Sequence, residues 1–197
     1  ISADAEVLEM CHGENEWTQS IKNQTSRMNV LVKNLVELTK LNEAQDTSER
    51  TSFNLSDAVI ETASDFESRA RINEQTFIFS VSPGIRYLGN ETEIRQLVSI
   101  LCDNAIKYTN KGGTIKISLY KSGTNTYLDI FNTTDYVNPA SVSKLFDRFY
   151  RGDSSRSRET GGYGIGLSIA SAIVDRHKGK IKAIANGTKE ITFRVTL

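Results

Sequence analysis

The chain has 197 residues, enough for one sizeable domain or a domain with an appendage, and its 24 basic residues balance 24 acidic ones. That zero net charge gives no global footprint for nucleic acid, and no apolar run approaches the roughly 18 residues of a membrane-spanning helix. The start, Ile1-Ser2-Ala3-Asp4-Ala5-Glu6, lacks the Met, basic region and apolar stretch of a signal peptide and reads as the cut end of something longer.

Residues 2–45 contain no proline and one glycine, Gly13, and carry a helical apolar rhythm. Ile21, Gln24, Met28, Leu31, Leu35 and Leu38 alternate steps of three and four, the a and d positions of a heptad, and Val32 and Leu41 widen the stripe. Such a helix cannot bury its stripe alone and needs partner helices. Gly13, flanked by His12, Glu14 and Asn15, predicts a short connection, so this region is expected to be a helical hairpin with a short first arm. The expected boundary puts the hairpin at 1–46 and a second unit at 47–197. Cys11 and Cys102 are far apart and form no C-x-x-C pair, which predicts two reduced packing thiols. The two histidines, at 12 and 177, have no ligand-spaced neighbours and do not suggest zinc.

After a polar stretch at 42–52 the period changes. Alternation predicts a short strand at 53–55 and a helix over 56–71 with Ser56 as its N-cap. Strands follow at 76–81 and 85–88, separated by a Ser82-Pro83-Gly84 turn. Asn90 with Glu93 three residues on is a capping-box-like start for a long helix ending at Tyr108, and Lys111-Gly112-Gly113 stops it. A hairpin is expected from 114–120 and 126–131. Asn138-Pro139 begins a short helix with proline at its first position. Residues 151–162 are polar, glycine-bearing and unpatterned, which predicts a mobile loop. A helix over 165–177 and a hairpin of 180–185 with 191–197 across Asn186-Gly187 complete the chain. This order predicts an α+β fold, a two-layer α/β sandwich with one mixed sheet covered by helices on one face, preceded by the helical hairpin.

Three segments carry candidate chemistry. On the long helix Asn104, Lys107 and Tyr108 lie three and four apart and share a face, so an amide oxygen, an ammonium and an aromatic ring could serve a magnesium ion, a phosphate and a nucleobase. A solvated helix edge has the same composition. Gly161-Gly162-Tyr163-Gly164-Ile165-Gly166-Leu167-Ser168 places four glycines ahead of a helix, where backbone N–H groups can surround an anion. It is neither a Walker loop nor a dinucleotide fingerprint, and a flexible turn would read alike. In Leu145-Phe146-Asp147-Arg148-Phe149-Tyr150-Arg151 two phenylalanines and a tyrosine could anchor a loop root in the core while Arg148 or Arg151 neutralises a transferring phosphoryl group. An aromatic core segment with solvated arginines is the alternative.

Taken in order, Asp103-Asn104-Ala105-Ile106-Lys107-Tyr108-Thr109 resembles the N-box of sensor histidine kinases, residues 145–151 their F-box, and residues 162–167 their G2-box. The resemblance implies the Bergerat-type ATP-binding fold shared with type II topoisomerases, mismatch-repair ATPases and heat-shock chaperones of the ninety-kilodalton class. It covers almost the whole chain. It implies ATP and Mg²⁺ as ligands, with Asn104 on the metal, Lys107 on phosphate, and Tyr108 near the adenine or ribose. Gly162, Gly164 and Gly166, with the amides of Ile165 and Leu167, would wrap the triphosphate. Arg148 with Lys107 would stabilise the γ-phosphoryl group in transfer, and residues 151–161 would be the ATP lid. The chain departs from the pattern twice. Ile100 stands where the first asparagine of the N-box pair is usual, and Asn132-Thr133-Thr134-Asp135 replaces the Asp-and-glycine run of the G1-box. Asn132 can still accept from the exocyclic amine of adenine and donate to a ring nitrogen, with Asp135 a second candidate.

The resemblance further implies a homodimer through the hairpin, a response-regulator receiver domain as partner, and a cytoplasmic place beneath a membrane-anchored sensor. No contact of this segment with nucleic acid or membrane is expected. The phosphoacceptor motif H-[ED]-x-[RK]-T-P is absent, so the acceptor His would lie upstream of Ile1. His12 reads as a polar turn residue and His177 as a helix C-terminal capping residue. Two other readings stay open: a degenerate nucleotide-sensing scaffold, and a serine kinase of the anti-sigma type.

Overall fold

The computed structural model describes residues 2–13, 15–43, 50–150 and 164–197. Helices α1 (Ser2–His12) and α2 (Glu16–Glu43) form the expected hairpin. The Gly13 N–H closes α1 on the Glu9 carbonyl at 2.8 Å, and the Asn15 side chain caps α2 by accepting from the N–H groups of Trp17 and Thr18, both at 3.0 Å. An ion pair from Lys22 to Glu9 ties the two arms. The seam of α2 is divided: Leu31 packs on the core of the following domain and α2 lies against a later helix, whereas Met28, Val32 and Val36 face outward at 60%, 59% and 48% exposure. The side chains of Leu35, Leu38 and Leu41 lie outside the described set, as do residues 44–49. Cys11 is exposed on α1 and so is no packing thiol, because it lies off the side of α1 that meets α2. Cys102 is packed as expected; burial, followed by the neighbouring Asp103 charge, pushes its thiol up to about 12.

Strand β1 (Thr51–Asn54) leads into α3 (Leu55–Ser64), a break, and α4 (Glu67–Ile72). One helix with Ser56 as its cap was expected, and the chain does otherwise. Asn54 is the cap, its Oδ1 accepting from the N–H of Ser56 at 3.1 Å and of Asp57 at 3.4 Å. The Ser56 hydroxyl is used elsewhere: it donates to the Ser82 carbonyl at 2.7 Å and accepts from the Ile85 N–H at 3.0 Å. It thereby clamps the 82–85 turn onto α3. That turn joins strands of different sheets, β2 (Thr76–Val81) and β3 (Arg86–Gly89). β3 pairs antiparallel with β1, whereas β2 is an edge of the main sheet.

The rest comprises α5 (Glu91–Tyr108), β4 (Thr114–Ser122), β5 (Asn125–Thr133), a 3-10 helix (Pro139–Phe146), α6 (Gly166–Arg176), β6 (Lys180–Ala185) and β7 (Glu190–Thr196). The five-stranded sheet has the order β2-β4-β5-β7-β6, with β2 and β4 parallel and the other pairs antiparallel. Alternation decides its two faces. Ile115, Ile117 and Leu119 of β4, Leu128 and Ile130 of β5, and Phe193 and Val195 of β7 are buried, in one core with Leu55 and Val59 of α3, Leu97 and Leu101 of α5, and Ile169 and Ile173 of α6. On the open face the Arg194 guanidinium grips Asp129 with two bonds of 2.8 and 2.6 Å, and the Tyr120 hydroxyl donates to the same carboxylate at 3.3 Å. The expected two-layer sandwich is the fold.

Ser56→Ala should destabilise the domain by about 1–3 kcal/mol in urea unfolding, because it strands the Ile85 N–H and the Ser82 carbonyl together. A loss under a few tenths of a kcal/mol would show that the 82–85 turn does not depend on the clamp.

Candidate nucleotide site

The site is assembled around the C-terminal half of α5. Its buried stripe (Ile94, Leu97, Val98, Leu101, Cys102, Ala105 and Ile106) fixes the rotation of the helix, and Asn104, Lys107 and Tyr108 lie outside that stripe. Asn104 is half-buried and its carboxamide makes no hydrogen bond within the described residues. Tyr108 is 43% exposed. Lys107 is not free: it is ion-paired one turn back with Asp103, whose other oxygen takes the Arg69 guanidinium at 3.1 Å.

At the end of β5, Asn132 lies on the helix-facing side of the sheet in line with Leu128 and Ile130, and is fully buried. Its NH₂ donates to the Thr133 carbonyl at 3.0 Å, and its Oδ1 has no partner. An orphaned acceptor of this kind costs about 1–3 kcal/mol unless a donor is supplied. One amide hydrogen is already committed to Thr133, which leaves acceptance by Oδ1 as the main contact available. Asp135 takes the Asn110 amide, linking the exit of α5 to the loop after β5.

That loop shows how the chain manages without the glycines of the G1 pattern. None of residues 132–138 has a positive φ, so no glycine is required there. The path is stitched instead by side-chain and backbone bonds. The Thr133 hydroxyl accepts from the Thr114 N–H at 2.9 Å, and the N–H groups of Thr134 and Val137 donate to the carbonyls of Lys189 and Thr188 at 2.9 and 2.7 Å.

Phe146 packs edge-on against Phe193 with ring centroids 6.2 Å apart, which roots the 3-10 helix in the core. Phe149 does not anchor anything, contrary to expectation. Its ring is 64% exposed and its backbone is left-handed, φ 62°, a conformation costing roughly 1–3 kcal/mol for such a residue. The cause is a clasp: the Phe149 N–H donates to the Gly164 carbonyl at 2.9 Å, and the Gly164 backbone lies so close that a Cβ there would meet the Tyr150 carbonyl oxygen at 2.8 Å. Arg148, between the two phenylalanines, is exposed and makes no ion pair with a described residue.

Beyond the clasp, Ile165 is buried and α6 begins without a side-chain cap, so the first N–H groups of Gly166 and Leu167 lack intrahelical partners. A Cβ on Gly166 would lie 3.6 Å from Cγ2 of Ile100, one turn before Asn104. The glycine turn and the Asn104 face therefore converge on one stretch of α5. Gly162, Arg151 and the proposed lid, 151–161, lie outside the described residues. Among the described residues no cluster of three His, Cys, Asp or Glu could hold a metal. The sequence reading missed Arg69 and the Asp103–Lys107 pairing; the i,i+4 spacing of Asp103 and Lys107 was a visible signal for the latter.

With this geometry in hand, comparison with known proteins is decisive: the chain belongs to the histidine kinase-, DNA gyrase B- and HSP90-like ATPase family, which it matches over residues 89–197. Within that family it is an ATP-binding catalytic region of the sensor histidine kinase kind. The sensor protein DltS of Streptococcus agalactiae is 32% identical over 183 residues, covering 93% of this chain and 46% of DltS, so the chain spans about half the length of such relatives. The nucleotide-free catalytic domain of histidine kinase ThkA is 28% identical with a TM-score of 0.64, over 75% of this chain and 95% of that one. ThkA in complex with the response regulator protein TrrA shares the fold over 98% of this chain and 56% of that one, with 24% identity and a TM-score of 0.71.

The two described glycines of the turn should behave differently. Gly164→Ala is expected to lower the melting temperature, because it combines a left-handed φ of 68° with a backbone clash. Gly166→Ala meets only ordinary contact and should fold as the parent does. If it also loses nucleotide binding, Gly166 serves close approach of a ligand; unchanged binding would remove it from the site.

Proposed function

We propose that this chain binds Mg-ATP between α5, the end of β5 and the turn into α6, and that in the longer protein the γ-phosphoryl group passes to a histidine of a dimerisation helix. The observation that supports the reading is the buried Oδ1 of Asn132, unpartnered among the described residues, an acceptor that the exocyclic amine of adenine would satisfy. Tyr108 then lies along the base or ribose. Lys107 and the N–H groups of Ile165, Gly166 and Leu167 meet the phosphates at the positive end of α6, with Gly162 and Gly164 allowing the chain to pass close.

The uncommitted carboxamide of Asn104 fits Mg²⁺, a hard cation that takes a neutral oxygen alongside phosphate oxygens and water and so needs no carboxylate cluster. When bound there, the ion would neutralise phosphate charge. Transfer requires an imidazole nitrogen to attack the γ-phosphorus as its bond to the bridging oxygen breaks, with ADP leaving and the imidazole proton passing to a base. Arg148, exposed and uncommitted, is the side chain suited to hold the charge on the transferring group. The phosphohistidine then supplies the aspartate of a response-regulator receiver domain, a role supported by the ThkA–TrrA pairing. The hairpin is the dimerisation unit: the outward apolar residues Met28, Val32 and Val36 of α2 need a partner surface. Among the described residues no helix is long and apolar enough to cross a membrane. The whole protein is proposed to be a membrane-anchored sensor with this segment on the cytoplasmic side.

Titration with a fluorescent ATP analogue and magnesium should give saturable binding, weakened at least about tenfold by Asn104→Ala. Absence of binding by the parent chain would refute the reading. Labelled γ-phosphate should leave no stable phosphohistidine on this chain, since no acceptor motif occurs in it; a labelled His12 or His177 would contradict that. Sedimentation should show a dimer that Val32→Glu dissociates, and a monomer at high concentration would remove the hairpin's assigned role.

A further inference from the structure

The Asp103 carboxylate is shared. One oxygen holds Lys107 from one turn along α5, and the other takes the guanidinium of Arg69, which reaches across from α4 at 3.1 Å. Arg69 is itself held in place, its guanidinium carbon lying 5.7 Å from the centroid of the Phe66 ring, and Phe66 packs on the core. All three charged side chains are a third to a half exposed, so each pairing is weak and exchangeable rather than a fixed buried bridge.

We infer that Arg69 is a positioning residue for nucleotide phosphate: it keeps Asp103 neutralised so that Lys107 can leave the carboxylate and turn to the triphosphate. The inference rests on the Mg-ATP reading above. The three donors of the Lys107 ammonium can reach two anions, but its single charge, shared between Asp103 and a phosphate, neutralises neither fully. With Arg69 present, Asp103 retains a cation when Lys107 departs. Without it, Lys107 is the sole described counterion of Asp103, and its transfer to phosphate leaves a carboxylate uncompensated beside a polyanion. Among the described residues the Arg69 guanidinium pairs with Asp103 and lies by the Phe66 ring, so its effect on the site would run through Asp103.

The test is a set of affinities for Mg-ATP and for adenosine, measured by calorimetry on the parent chain, Arg69→Gln, Arg69→Lys, Asp103→Asn and the Arg69→Gln/Asp103→Asn double variant. Arg69→Gln should weaken Mg-ATP about twofold to fivefold, the upper part of the range set by one partly exposed ion pair, and leave adenosine unchanged. Arg69→Lys should restore most of the loss. In the Asp103→Asn background the Arg69→Gln change should have no further effect on Mg-ATP. An Arg69→Gln effect equal for adenosine and Mg-ATP, one that persists in the Asp103→Asn background, or none at all would each overturn the inference while the parent still binds nucleotide. A parent chain that binds no Mg-ATP would instead bring down the proposed function.

Discussion

The orientation of α5 is the constraint on which the rest depends, and it is enforced at both ends by groups from distant parts of the chain. At the N-terminus Asn90 Oδ1 accepts from the Glu93 N–H at 3.1 Å, and the Asn90 N–H donates to Nε2 of His177 at 3.2 Å. His177 thus occupies the place that the Glu93 carboxylate would take in a reciprocal capping box. It also follows the last turn of α6, with Nδ1 against the Ile173 carbonyl at 2.8 Å, so one imidazole joins the start of α5 to the end of α6. At the other end Gln75 donates to the carbonyls of Ile106 and Thr109 at 3.0 and 2.6 Å, satisfying acceptors that the helix leaves open. Between these fastenings the buried stripe cannot rotate, which fixes where the Asn104 side chain sits.

The second constraint is the Phe149–Gly164 clasp. A backbone hydrogen bond brings the end of the F-box segment to the start of α6, and the left-handed φ of Phe149 is the strain that accompanies it. Arg148 is carried with the clasp rather than with the core, which leaves its side chain available for chemistry. Ile100 has a related role. It contributes an apolar contact under Gly166, so a departure from the family pattern on the helix is matched by packing against the turn that it faces.

Strands were legible because alternation is local: Ile115, Ile117 and Leu119 against Lys116 and Ser118 read as a half-buried strand wherever they occur. Asn90 as a cap was legible for the same reason. The runs at 103–109, 145–151 and 162–167 stood out in the sequence because each is short and contiguous; the roles given to their residues belong to the proposed function. What the sequence concealed was set across long separations. Ser56 is an ordinary cap candidate until a turn 26 residues on claims its hydroxyl. Strands 76–81 and 86–89 flank a good turn but belong to different sheets, because β2 pairs with β4 and β3 with β1. Phe149 carries an apolar side chain in an aromatic run, and its solvent exposure follows from a glycine fifteen positions later. Lys107 was placed correctly on the helix, and its tie to Asp103 and Arg69 depends on where α4 docks.

The stitched loop after β5 carries its order in advance. A glycine-rich segment would pass through many backbone states before a ligand arrives, and capture would have to select one of them. Here none of residues 132–138 has a positive φ, and the segment is fastened to Thr114, Thr188 and Lys189 beforehand. Any ligand that meets Asn132 would therefore encounter a preorganised wall, and little of the ordering cost of association would fall on it.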